Sequence, residues 1–185
     1  NAFTSREYTC FYAKILSKDL PLAIDLLSDI FMNSKFDKSE MDRERNVVFQ
    51  EIKMVEDTPD DLVHDLFAAN FWKSHPLGRS ILGTRHTVGA LTHAQIKKYF
   101  SEHYTSNKVL ITAAGGLKHR TVVRALNKTF GHVKSRPPKE DMERPVSTPG
   151  LKLYKKSLEQ THLCLGMPCP EQPHPDRYKT YLLNT

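Results

Sequence analysis

Glu40-Met41-Asp42-Arg43-Glu44-Arg45-Asn46-Val47-Val48-Phe49-Gln50-Glu51-Ile52-Lys53-Met54-Val55-Glu56 is the stretch on which the reading of this chain turns. It contains no proline or glycine, and its apolar residues recur with helical spacing. At about 100° per residue, with Met41 as zero, Ile52 falls at about +20°, Val48 at about −20° and Val55 at about −40°. Val47 and Met54 extend this arc to about −140°. Arg45, Lys53, Glu56 and Asp42 lie on the other side. Glu44 at about −60° and Glu51 at about −80° fall inside the apolar arc, about 10.5 Å apart along the axis. A buried carboxylate is costly unless it is paired or holds a metal. Geometry leaves two readings: a wide, partly exposed arc with each Glu bonded to a local cation, or metal or acid–base chemistry.

The flanking sequence supplies more helices. Asp37 with Glu40 has capping-box spacing. Upstream, Asp19 and Pro21 open a helix whose Leu20, Ala23, Ile24, Leu27, Ile30 and Phe31 form one stripe. Downstream, Thr58-Pro59-Asp60-Asp61 starts a third helix, running to about Trp72. Thr92 with Gln95 opens a fourth, to Tyr104. Val122, Val123, Leu126 and Phe130 mark a fifth, with Gly131 placed to end it. Residues 7–16, Val109–Ala114, Leu151–Lys155 and Thr161–Met167 read as strands, and Pro175 onward as a further helix start. Helices and strands together predict an α+β fold: an antiparallel or mixed sheet covered by helices, mostly on one face. Residues 132–150, with Pro137, Pro138, Pro145 and Pro149 among charged residues, read as a linker.

Composition narrows the function classes. The 185 residues are 39% hydrophobic and 26% charged, which is ordinary for a globular protein. No run of about 18 or more apolar residues exists, so no segment reads as a membrane span. The three cysteines lack metal-type spacing and read as free thiols. Net charge is +6, unevenly placed: residues 1–75 carry 9 Lys/Arg against 14 Asp/Glu, and residues 76–185 carry 18 against 7. The basic half raises nucleic-acid binding, but its cations are dispersed with no basic block, so a solvated surface is the better reading. The chain opens on Asn1 in mid-pattern and stops inside a helical one, so it reads as a fragment of something longer.

Asn1-Ala2-Phe3-Thr4-Ser5-Arg6-Glu7-Tyr8-Thr9 resembles the opening "NA-T-E-T" strand of the pitrilysin/insulinase family of zinc metallopeptidases, which includes the mitochondrial processing peptidase and its bacterial relatives. The likeness continues in family order. It runs through Glu44-Arg45-Asn46-Val47-Val48-Phe49-Gln50-Glu51, Pro76-Leu77-Gly78-Arg79-Ser80-Ile81-Leu82-Gly83, Tyr99 to Tyr104 and Ala113-Ala114-Gly115-Gly116. Asp176-Arg177-Tyr178 to Leu183 resembles the first helix of the family's second repeated domain. The resemblance implies an inverted zinc motif, His-x-x-Glu-His, with a downstream glutamate as third ligand. Glu51 matches that metal ligand. Glu44 matches the second acidic residue, which orients the ligands. Asn1, Ala2, Phe3 and Thr4 match the edge strand that binds an extended peptide through its backbone.

No His-x-x-Glu-His occurs here; the family places it upstream of the Asn1-Ala2 strand. None of the nine histidines replaces it. His64 is expected to be packed or exposed, and His119, His132 and His162 to be strand or surface residues. No His partner is evident for Cys164 or Cys169. The resemblance implies a zinc-dependent endopeptidase acting on extended or unfolded peptides, with zinc as cofactor. It implies peptide substrates, a homodimer or paired family subunit as partner, and no nucleic acid. Residues 1–131 correspond to the later part of a first metallopeptidase domain and 151–185 to the opening of a second. Lacking two ligands and the base, this chain is expected to be inactive alone. The alternative is a non-catalytic family member serving as partner or structural subunit; Glu44 and Glu51, retained in an apolar arc, argue against it. The compartment is open: cytoplasm or periplasm in a bacterium, mitochondrial matrix in a eukaryote.

Overall fold

The computed structural model describes residues 1–136 and 143–184. In chain order the elements are β1 (Ala2–Thr4), β2 (Thr9–Phe11), α1 (Leu20–Met32), α2 (Lys38–Asp57), α3 (Pro59–Phe71), α4 (Arg85–Ala90), α5 (His93–His103), α6 (His119–Phe130) and α7 (Arg177–Leu183). Residues 1–52 and 81–143 form one compact unit, and residues 53–80 and 144–185 a second. Pro137 and Pro138 of the expected linker lie outside the described residues.

The first unit is built on aromatic packing. β1 and β2 pair antiparallel with Ala2 opposite Phe11, Phe3 opposite Cys10 and Thr4 opposite Thr9. This puts Phe11 on the inner face, against Tyr104 at 6.5 Å. Phe31 of α1 lies 5.5 Å from Tyr104 and 5.5 Å from Phe130 of α6. Phe100 stacks on Tyr104 at 4.1 Å and meets Phe36 edge-on at 5.0 Å. Such ring pairs add to the burial of their own area. Burial raises the Tyr104 phenol above its ordinary pKa, partly offset by a hydrogen bond with Thr9. α6 packs on α1, where Phe130 meets Phe31, and Val122 of α6 is buried.

Helix starts follow the local chemistry. The Thr92 hydroxyl and Gln95 amide make a reciprocal capping box on α5. The same device, Thr84 with Thr87, starts α4, a short helix that no sequence period marked. At α2, Asp37 accepts from the backbone N–H groups of Ser39 (2.9 Å) and Glu40 (3.3 Å). The Glu40 side chain does not close the box; it pairs with Arg43 at 3.0 Å. The hydrogen bonds from Ser39 and Glu40 hold the Asp37 carboxyl below its ordinary pKa.

In the second unit two extended segments lie against α3. Thr148 N–H donates to the Phe71 carbonyl at 2.8 Å, the Asn70 amide to the Tyr154 hydroxyl at 2.7 Å, and Lys156 to the Glu56 carbonyl. The chain bends at 159–160 and returns, bringing His162 to Asp60, Cys164 to His64 and Gly166 to Phe67. A Cβ on Gly166 would come within 2.3 Å of the Phe67 ring, so only glycine permits this approach.

The coarse expectation of helices with antiparallel β structure holds, but the sheet is narrower than expected: two strands among the described residues. Val109–Ala114, Leu151–Lys155 and Thr161–Met167 form no ladder. In 161–167 the alternation is present, with His162 and Cys164 toward α3 and Leu163 and Leu165 outward, 84% and 86% exposed. Period-two patterning encodes two faces. It does not supply the neighbouring backbone that makes a strand.

Candidate functional site

α2 carries the two carboxylates singled out by the sequence, and the structure corrects their setting. Ile52 is buried and Met41, Val48 and Val55 are half-buried, as the wheel requires. Glu44 and Glu51 are exposed, beside Val47 and Met54, which are 49% and 63% exposed. The buried stripe is therefore displaced to the other flank of Met41, toward Arg45 and Phe49. The cause is α4. The Arg45 guanidinium, ion-paired with Asp42, donates to the Leu91 carbonyl at 2.9 Å and to the Val88 carbonyl at 3.4 Å. Arg85 lies over the Phe49 ring at 4.7 Å, and a Cβ on Gly89 would sit 3.8 Å from that ring. An arginine whose stem is covered and whose head reaches backbone carbonyls occupies an inward position that hydrophobicity alone assigns outward. Glu44 and Glu51 make no hydrogen bond or ion pair among the described residues. They project from one shoulder of the helix, about two turns apart.

The Asn1–Thr4 segment forms the outer strand of the hairpin. Asn1 N–H donates to Tyr12 O and Tyr12 N–H to Asn1 O, both at 2.9 Å, and Ser5 N–H closes the turn onto Tyr8 O at 2.8 Å. The other edge of β1 pairs with nothing among the described residues. Phe3 is 47% exposed and sits between Tyr8 and Tyr12, its diagonal neighbours, at 5.8 and 6.2 Å. The outer edge thus offers unpaired backbone groups beside an aromatic face.

In the second unit, sequence reading missed two pairs. His64 Nδ1 lies 3.9 Å from Cys164 Sγ, and His162 Nδ1 lies 2.8 Å from Asp60 Oδ1. The pairs couple residues about a hundred positions apart, and no local signal announces that. His119 is exposed at the start of α6, and His132 is exposed just beyond it.

Zinc sites take three or four donors, typically His nitrogen, Cys sulfur or carboxylate oxygen. Glu51 offers one oxygen donor of that kind. Among the described residues no three His, Cys, Asp or Glu side chains gather where a metal would be held. The residues present do not make a zinc site by themselves, so no step through a metal is derived from them. No helix is long and apolar enough to cross a membrane among the described residues.

Residues 1–85 match the family profile described as Insulinase (Peptidase family M16), and residues 90–185 the profile described as Peptidase M16 inactive domain. The uncharacterized zinc protease YmxG of Bacillus subtilis is 40% identical over 184 residues, covering 100% of this chain and 45% of that protein. The probable mitochondrial-processing peptidase subunit beta of Arabidopsis thaliana is 41% identical over 137 residues, 74% of this chain and 26% of that protein. A crystal structure of a protease from Helicobacter pylori superposes with a TM-score of 0.62 at 19% identity, covering 71% of this chain and 32% of that one, a likeness of fold. The chain spans less than half the length of these relatives.

Proposed function

This chain belongs to the insulinase family of peptidases, family M16, and from that membership we propose that it is part of a zinc-dependent endopeptidase that hydrolyses extended or unfolded peptides. The observation that carries the reading is a match over the whole chain to a relative named as a zinc protease. In this reading Glu51 supplies one zinc ligand and Glu44 orients the ligand set. Their exposure supports the assignment, because both carboxylates stand free for groups from outside the described residues. Zinc held there would supply an activated water for peptide-bond hydrolysis.

Asn1, Ala2, Phe3 and Thr4 receive the substrate by strand addition. The unpaired outer edge of β1 offers the backbone groups, the small Ala2 side chain lets a second backbone approach, and Phe3 walls a pocket. Residues 1–131 form the later part of the first metallopeptidase domain, 132–150 a linker, and 151–185 the opening of the second. The chain alone, with one of the required donors, is inactive.

The test is made on the full-length protein. Purified with zinc, it should cleave an unstructured fluorogenic peptide, lose that activity to a chelator and regain it with added zinc. Absence of zinc-dependent cleavage would favour the second reading, a non-catalytic partner subunit. That reading draws on relatives named as a subunit beta and on the profile described as an inactive domain. The residues preceding Asn1 discriminate as well, by an intact or a degraded His-x-x-Glu-His.

A further inference from the structure

α6 has two faces of opposite character. Val122 is buried and Ala125, Leu126, Thr129 and Phe130 are half-buried against the first unit. The outward face presents Arg120, Arg124 and Lys128, one helical turn apart, flanked by His119 and Asn127 along an open surface hollow. α6 holds no acidic residue, and none of the three cations has an ion pair among the described residues. Lys118, His119 and Arg120 also crowd the start of the helix, where its dipole is positive and an acid would be favoured. Like charges one turn apart and cations at a helix start both cost stability. A helix built for its own stability would carry acids here.

The complementary surface is in the same chain. At the junction of α2 and α3, Glu56, Asp57, Asp60 and Asp61 are all exposed. Lys156 is held on the Glu56 carbonyl, and His162 is paired with Asp60. That places one ammonium and one imidazole among four carboxylates.

We propose that the basic face of α6 docks on the acidic α2–α3 junction of a second copy of this chain. Charge complementarity selects this occupant. The outward face of α6 has no aromatic ring on which nucleotide bases would stack. Its one large apolar side chain, Val123, 40% exposed, is too little for an amphipathic helix to enter a lipid surface. The docking does not depend on the peptidase reading. It is heterologous, one patch meeting a different one, and its strength comes from several screened ion pairs, so it is weak and salt-sensitive.

Sedimentation equilibrium of the 185-residue chain tests this. At about 0.01 M salt the chain should self-associate, and at about 1 M, where screening acts within about 3 Å, association should weaken at least tenfold. Association through apolar surface would persist or strengthen with salting-out ions instead, and that result overturns the proposal. A charge swap gives the second arm. The variant Arg120→Glu/Arg124→Glu/Lys128→Glu and the variant Glu56→Lys/Asp57→Lys/Asp61→Lys should each be monomeric alone and should associate when mixed. A mixture that stays monomeric, with both variants helical by circular dichroism, overturns the proposal. So does a wild-type chain that is monomeric at low salt. So does a fluorescein-labelled single-stranded oligonucleotide that binds the chain more tightly than a second copy does.

Discussion

The α2 shoulder and the α3 groove hold the same kinds of side chain in opposite states. On α3, His162 meets Asp60 and His64 meets Cys164, so each reactive group has its partner within the second unit. On α2, Glu44 and Glu51 stand exposed with no partner among the described residues. Proximity alone would favour the α3 pairs as chemistry. The proposed function rests on α2 instead, because groups that answer to each other are already satisfied, whereas exposed acids remain available to groups outside the described residues.

The comparison breaks hardest at Glu51. In the full-length protein Glu51→Gln should lower turnover by more than about 100-fold, beyond the range of outer-shell changes, since on the proposed reading it removes a ligand. Glu44→Gln should cost about 10- to 100-fold. Equal losses for the two would erase the distinction between ligand and orienting residue. The α3 pairs should respond least: Cys164→Ser and His64→Ala should each leave turnover within about threefold, as expected for groups that take no part in the proposed chemistry. A large loss at Cys164 would move the chemistry to the second unit.

The smallest effect concerns the Asp37 cap at the start of α2. Hydrogen bonds hold the Asp37 carboxyl below its ordinary value when folded. Its contribution to stability is present above the unfolded-state Asp pKa and is lost as pH falls through the lower folded-state value. Acid titration followed by circular dichroism should show wild type losing stability across that window. Asp37→Asn, which retains a capping oxygen without the charge, should be flatter there.

Much of the helical frame was legible in the sequence because caps and stripes are local. Thr92 with Gln95, and the Leu20-to-Phe31 stripe apart from Ile30, which is exposed, needed no tertiary knowledge. The orientation of α2 was not, because it depends on which neighbour packs against it. Phe49 and the Arg45 stem turn inward to meet α4, and hydrophobicity counting placed Arg45 outside. The segments 109–114, 151–155 and 161–167 show the same limit. Alternation foretold two faces for 161–167, while pairing needs a second strand at hydrogen-bonding distance. Of the candidate site, spacing and resemblance single out Glu44 and Glu51, but their exposure was not legible. The His64–Cys164 pair joins residues about a hundred positions apart, and only the folded chain reveals it.

The central claim is that Glu51 belongs to a zinc site completed by residues outside the described chain. Zinc content of the full-length protein after exhaustive dialysis, measured by atomic absorption for wild type, Glu44→Gln and Glu51→Gln, tests it most directly. The account predicts about one zinc per chain in wild type, as a single catalytic site requires. It predicts zinc retained in Glu44→Gln under saturating metal, and little or none in Glu51→Gln. Zinc at wild-type stoichiometry in Glu51→Gln would contradict it.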